Sequence, residues 1–273
     1  MSTSSDDEMV GKVVLITGGS SGIGLSTAIR FSSAGAKIAI LARGKERLDL
    51  AIDKIKRLTP GSSVLPLICD VTKEKQVSNA FQETIREYGK LDIVVSNAGS
   101  IRSGSLEETS LDDWEEMIKV HATAYFLVAK EAVKVFRRQG EGGVIVFNNS
   151  DNAIKPSKNM LAYSAAKAAE LHLARCIAEE YGGNAIRINS VLPGAVFGGS
   201  SFWTPEYRKA RAKTHGFDPD TLEDEYKKNS ALGVVILPEE VAEVIYFLAS
   251  DRSSKITGTV ISIDGGGKTG YLR

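Results

Sequence analysis

The sequence predicts a doubly wound α/β fold: a seven-stranded parallel sheet, helices on both faces, and an insertion that lids one end. Three observations lead there. Short apolar runs alternate with helical stretches along most of the chain. The runs are continuously apolar, as strands covered on both faces must be. A glycine-rich loop separates the first run from the first helical stretch.

The elements follow in order. "KVVLIT" (12–17) is the first strand, and "GIGLSTAIRFSSAG" is a helix stopped at Gly35. "KIAILA" is the second strand, followed by a charged helix over 45–58. "SVLPLICD" is the third strand. The next helix carries Val77, Phe81 and Ile85 on one face. "LDIVVSNAG" is the fourth strand, and one long helix is expected over 111–138. "GVIVFNN", "AIRINSVLPG" and "GTVISIDGG" complete the sheet. An Ala-rich helix containing Tyr163 follows the fifth strand, and "PEEVAEVIYFLAS" precedes the last. The segment 197–230 breaks the alternation with aromatic and charged residues and reads as a lid. No linker splits the chain, so 11–273 forms one domain behind a short polar tail, 1–10, expected to be disordered.

Composition narrows the function. The 34 basic and 34 acidic residues cancel, which gives no electrostatic reason to expect nucleic acid or an anionic membrane as partner. No apolar run is long enough to span a bilayer. The N-terminus lacks a signal-peptide core. Two distant cysteines and three scattered histidines show neither disulfide nor metal-ligand spacing. A cytoplasmic, metal-free protein is expected.

The motifs sit where strands end. In "TGGSSGIG" (Thr17 to Gly24), Gly18 permits a tight turn and Gly22 lets the backbone approach a pyrophosphate. Gly24 lets helix and strand pack, and Ile23 lies between them in the opening turn. The helix N-terminus offers amides to phosphate, and Ser20 and Ser21 add hydroxyls. This is the Rossmann-type arrangement for a dinucleotide. The second strand ends "LARGKER": Ala42 stands where NAD binders carry an acid, and Arg43 suits a 2′-phosphate. NADP is therefore expected over NAD, although Arg43 at a helix start also serves as a solvated cation. In "CDVT", Asp70 is an acceptor for an adenine amino group above Val71, or a helix N-cap. "SNAG" brings Asn97, Ala98 and Gly99 to the carboxyl end of the fourth strand.

Tyr163 and Lys167 are one helical turn apart and share a face. A cation beside a phenol favours the phenolate. Ser150 precedes Tyr163 by thirteen residues, in the stretch before the helix. The trio suggests proton transfer to or from an oxygen.

Together these motifs resemble the short-chain dehydrogenase/reductase family, from Lys12 to about Gly266, closing with "LPG" and "ITGTVISIDGG". The resemblance implies that Tyr163 is the general acid/base. Lys167 lowers its pKa and holds the nicotinamide ribose, and Ser150 positions the reacting oxygen. It implies further cofactor contacts at Asn97, Pro193, Gly194 and Val196, and a homodimer or homotetramer built on the fourth and fifth helices. Two positions depart from the family pattern. His121 stands where a proton-relay asparagine is usual, and Gly198 where a threonine often holds the nicotinamide amide. His121 either takes over the relay, with an acid-side inflection in the rate, or packs in a helix interface.

In the lid, Phe202, Trp203, Tyr207, Phe217 and Tyr226 are candidates to line a pocket, with Arg208, Lys209, Arg211 and Lys213 as cations. An amphipathic helix pair with snorkelling bases is the favoured reading for most of them. "AYSAAKAAELHLARC", "GSSFW" and "LEDEYKKNSALG" are similar to the dehydrogenase half of bifunctional rhamnulose-phosphate aldolase/dehydrogenases. That likeness implies a small hydroxylated substrate: a sugar, polyol or hydroxyaldehyde. The competing expectations are reduction of a bulky ketone or acyl thioester, and a catalytically silent NADP-binding sensor.

Overall fold

The computed structural model describes residues 8–199 and 202–267. The first seven residues of the expected tail, and Ser200 and Ser201 of the expected lid, lie outside the described residues. Seven parallel strands form one sheet: β1 (Val13–Thr17), β2 (Lys37–Ala42), β3 (Val64–Ile68), β4 (Ile93–Ser96), β5 (Gly143–Asn148), β6 (Ile186–Pro193) and β7 (Val260–Ile263). Their order is β3-β2-β1-β4-β5-β6-β7. The chain winds outward in opposite directions from β1 and β4, so their carboxyl ends flank the switch point where such sheets bind ligands. The central strands are fully buried, as their continuous apolar character demands. β3 is an edge, and that is why it accommodates Pro66.

Helices cover both faces. α1 (Gly22–Ser33), α2 (Lys45–Leu58) and α9 (Pro238–Ala249) pack on one side, around Phe31, Ile40, Val146 and Tyr246. α3 (Glu74–Tyr88), α5 (Ala124–Gln139) and α6 (Leu161–Tyr181) cover the other, around Phe81, Tyr125, Phe136 and Phe147. The face with Val77 and Phe81 is buried as its spacing predicts. Between β6 and α9 lie α7 (Pro205–His215) and α8 (Leu222–Lys228), the helical part of the expected lid.

Two expectations need correction. The tail does not run to residue 10. Met9 is 2% exposed, its amide donates to the Ala34 carbonyl, and it packs in the α1/α9 core. One thioether against an apolar surface suffices to anchor the end, and a single buried residue has no periodicity to reveal it. The long helix over 111–138 is not uniform either. It is α4 (Leu111–Met117), a π-helical turn (Ile118–Thr123) and α5. π turns carry an extra residue and recur at functional sites; this one contains His121.

Candidate active site

Asn97 organises the switch point. Its side chain donates to the carbonyls of Thr17 (2.9 Å) and Gly18 (3.3 Å), and accepts from Asn148 Nδ2 (2.8 Å). The Thr17 hydroxyl accepts from the Asn97 and Ala98 amides at 2.8 and 3.0 Å. The ends of β1, β4 and β5 are thus tied by side chains. The glycine loop is tight against this knot: a Cβ on Gly24 would lie 2.3 Å from the Gly18 carbonyl oxygen and 2.5 Å from Asn97 Nδ2. Ser21 occupies the N-cap of α1 but does not cap it, and the Gly22 amide donates to the Gly199 carbonyl at 3.1 Å.

A cavity of about 610 Å³ opens over the carboxyl ends of the strands. Its lining includes Gly18, Ser20, Ser21, Gly22 and Ile23 of the glycine loop, Arg43 after β2, Asp70 and Val71 after β3, and Asn97, Ala98 and Gly99 after β4. Ser150, Tyr163, Lys167, Pro193, Gly194 and Val196 also line it. Thr17 and Gly24 stand behind the lining and act through the bonds and contact just described. The residues fit a dinucleotide: a close-packed glycine turn, a helix N-terminus without a side-chain cap, and Arg43 with Arg47 beside Ala42 on the same wall. Asp70 spends Oδ1 on the amide and hydroxyl of Thr72, at 3.0 and 2.7 Å, as a local turn former.

The trio meets at the inner end. Ser150 is the N-cap of a short turn after β5, and Tyr163 and Lys167 are on α6. The Ser150 side chain faces Tyr163 closely enough to bear on its ionisation. Burial raises the Tyr163 pKa well above that of a free phenol; the Ser150 side chain opposes this, and Glu170 adds to it. The resting site therefore holds a protonated tyrosine. Lys167 Nζ is held by acceptors other than the phenol oxygen. It donates to Glu170 Oε2 (2.8 Å) and the Asn148 carbonyl (3.1 Å), and sits 5.9 Å from the Tyr163 ring centre. Burial lowers the Lys167 pKa and Glu170 pulls it back up. Glu170 is fully buried, with Oε1 unpartnered, and burial pushes its pKa up to about 8 against the Lys167 charge.

His121 is buried beside the trio, its ring edge-on to Tyr163 at 5.0 Å. The Ser100 carbonyl accepts from Nε2 at 2.7 Å, which fixes the proton on that nitrogen and leaves Nδ1 an acceptor without a protein partner. The ring sits so close to Gly99 that a Cβ there would lie 2.8 Å from it. Burial, and then Lys167, hold its pKa well below the usual value. Burial therefore favours the neutral imidazole over the protonated form that an acid-side inflection would need.

Four lining or supporting residues carry no signal that the sequence reading used. Asp151 and Asp264 line the cavity, and Asp264 Oδ2 is buried without a partner. Asn148 presents its carbonyl to Lys167 and to the Tyr125 hydroxyl (2.9 Å). Glu170 was legible in principle, as an acid one turn beyond Lys167. Among the lid's candidates, all five aromatics line the cavity, but only Arg211 of the four cations does. Arg208 turns outward to Glu223.

Residues 18–268 match the family model described as enoyl-(acyl carrier protein) reductase. The chain belongs to the short-chain dehydrogenase/reductase family of oxidoreductases, whose members bind NAD(P) and act on alcohol or ketone substrates. It is 44% identical to the "uncharacterized oxidoreductase YuxG" of Bacillus subtilis over 96% of its own length, but spans only 38% of that protein. The crystal structure of levodione reductase superposes with a TM-score of 0.86 at 31% identity, covering 94% of this chain and 97% of that one. L-Sorbose reductase from Gluconobacter frateurii, complexed with NADPH and L-sorbose, gives a TM-score of 0.86 at 30% identity, over 97% of this chain and 99% of that one.

Proposed function

We propose an NADP-dependent oxidoreductase that interconverts an alcohol and a carbonyl on a small hydroxylated substrate: a sugar, a polyol or a hydroxyaldehyde. The observation that carries this reading is the meeting of Ser150, Tyr163 and Lys167 in a cavity that also bears Asp151, Asn152, Lys155 and Asp264. Polar groups with free acceptor capacity suit hydroxyls better than a steroid-like ketone or an acyl chain. The bound nicotinamide supplies or takes the hydride. Tyr163, protonated at rest, gives its proton to the carbonyl oxygen in reduction and receives it in oxidation. Ser150 holds that oxygen. Lys167 stabilises the phenolate once its charge is drawn toward it. Arg43, with Arg47, favours the 2′-phosphate. L-Sorbose reductase, seen with NADPH and a sugar, supports both halves of the reading. The likeness to rhamnulose-phosphate aldolase/dehydrogenases rests on the sequence segments alone.

We also expect a cytoplasmic homodimer or homotetramer, without nucleic-acid or membrane partners. No described helix is long and apolar enough to cross a membrane. Phe126 on α5, 47% exposed, offers an apolar face to a second copy.

The test is a screen of sugars, sugar acids, polyols and ketones with both cofactors, following the absorbance of the reduced nicotinamide. Turnover of a hydroxylated compound with NADP is expected. Tyr163→Phe should lose it by about 10²–10⁴-fold while still binding cofactor. Arg43→Ala should weaken NADP by about ten- to a hundredfold and leave NAD unchanged. Turnover confined to bulky ketones, or tight NADP binding with no turnover, would overturn the reading.

A further inference from the structure

We infer that the lid holds an anion-binding subsite centred on Arg211, so that the substrate is a hydroxylated compound bearing a carboxylate or phosphate. This rests on the reading of the site as one for small hydroxylated compounds and narrows it.

Arg211 is 6% exposed and lines the cavity. Its partners are all neutral. Nε and Nη2 reach the Tyr226 hydroxyl at 3.3 and 3.0 Å, Nη2 the Ser157 hydroxyl at 3.3 Å, and Nη1 the Lys158 carbonyl at 3.2 Å. Among the described residues no carboxylate pairs with it. A guanidinium offers five N–H donors and stays charged at any working pH. Burying that charge without a counter-ion is costly, and proteins normally pair such a group.

Its neighbours compound the deficit. Lys158 and His215 also line the cavity, and His215 is held below its usual pKa by burial and by Arg211 and Lys158. Three groups capable of positive charge thus share one region of the wall. The acids of the cavity lie elsewhere: Asp151 pairs with Lys155 at 3.6 Å, and Asp264 lies near both. The lining is therefore divided into an acceptor-rich part for hydroxyls and a cationic part for an oxyanion.

The cationic part is joined to the chemistry. Lys158, whose carbonyl Arg211 grips, is in the segment that runs directly into α6 and Tyr163. One turn before Arg211, Tyr207 touches Met160 Sδ at 3.8 Å, and Met160 packs in one cluster with Tyr163. An oxyanion on Arg211 would hold one end of a short chain while Ser150 and Tyr163 engage an oxygen farther along it.

The experiment uses a matched set of ribitol, ribonate and ribitol phosphate with the wild type and Arg211→Met. The wild type should favour one or both anions over ribitol by about ten- to a hundredfold in kcat/KM. Ribonate against ribitol phosphate distinguishes carboxylate from phosphate. Inorganic phosphate should inhibit competitively against the preferred anion. Arg211→Met should erase the preference and the inhibition, with its fold checked separately by circular dichroism and a thermal melt. Should that variant fail to fold, the wild-type series and the phosphate inhibition decide alone. Equal or better turnover of ribitol without phosphate inhibition overturns the subsite and leaves the function intact. An equal loss on all three compounds in folded Arg211→Met makes Arg211 structural and also overturns it. Turnover of bulky ketones alone, with no member of the set accepted, removes the functional reading itself.

Discussion

Lys167 and Arg211 are both buried cations on the wall of one cavity, and they are built differently. Lys167, on α6, has an acidic side chain as partner, Glu170, at 2.8 Å in the same helix. Arg211, on α7, has hydroxyls and a carbonyl. A charge supplied with its own partner is finished machinery, and its strength is tuned from within. A charge set among neutral donors and acceptors is held in place and left for something else to neutralise. The sheet side of the cavity carries the first kind and the lid carries the second, as expected if the chemistry is constant and the ligand is what varies.

The largest test removes Lys167. Lys167→Met should lower turnover by about 10³–10⁴-fold, at the upper end of what a proton-transfer group contributes. It also leaves Glu170 alone in an apolar site. Glu170 then keeps its proton to higher pH, so the folded state binds more protons than the unfolded one. Stability should fall by up to about 1.4 kcal/mol per pH unit above the ordinary carboxylate range. Denaturant unfolding of mutant and wild type from about pH 5 to 10 checks this: the gap should widen above about pH 8, where the wild-type Glu170 has lost its proton, and a gap that stays constant there breaks the comparison.

Glu170→Gln comes next. It strands the lysine, at a cost of up to about 3–5 kcal/mol while the ammonium persists. The slopes should have opposite signs. In the wild type the Glu170 pKa rises from 4.5 unfolded to about 8 folded, so its contribution is present at low pH and lost through pH 8. In the variant only the depressed Lys167 remains, and stability should rise as it loses its proton. Turnover should lose its alkaline limb at lower pH, by about one unit or more, because the cation beside Tyr163 vanishes earlier. Superimposed pH–rate profiles would show that Glu170 only fills space.

A smaller effect sharpens the other half. Ribonate or inorganic phosphate at a hundred times its wild-type Kd should stabilise the wild type by about 2.7 kcal/mol, and Arg211→Met by only about 0.4–1.4 kcal/mol if its Kd is a hundred- to tenfold weaker. Thermal melts read it directly. Equal stabilisation of both proteins would place the anion elsewhere. The smallest expected effect is at His121. A neutral imidazole gives no acid-side inflection, so His121→Asn should keep the shape of the wild-type profile between about pH 5.5 and 7.5, around the free-imidazole value. An inflection present in the wild type and absent in the variant would show that the ring does titrate.

The strands and the trio were legible because each leaves a local trace. β1 to β7 are apolar runs, the glycine loop has fixed spacing, and Ser150, Tyr163 and Lys167 recur at set intervals. What stayed hidden depends on which helix face meets what. Glu170 looks like an ordinary acid one turn after a lysine until α6 packs against the π turn and buries it. Arg208 and Arg211 are a turn apart, and only the seating of α7 sends one to Glu223 and the other to the cavity. The state of His121 was unreadable for the same reason: burial, not residue type, sets it.

The π turn at Ile118–Thr123 gives the rod over α4 and α5 a change of phase. One residue more than an α turn rotates everything on one side by about 100° relative to the other. Met117, packed with Tyr163 and Ala166, and Tyr125, in the core under β5, each face inward on their own side of that break. Deleting a single residue between them would keep every helical hydrogen bond possible and still leave only one flank correctly seated. Helical wheels drawn across 111–139 therefore mislabel half of the positions. In this stretch, length by one residue is as strictly constrained as any side chain in the cavity.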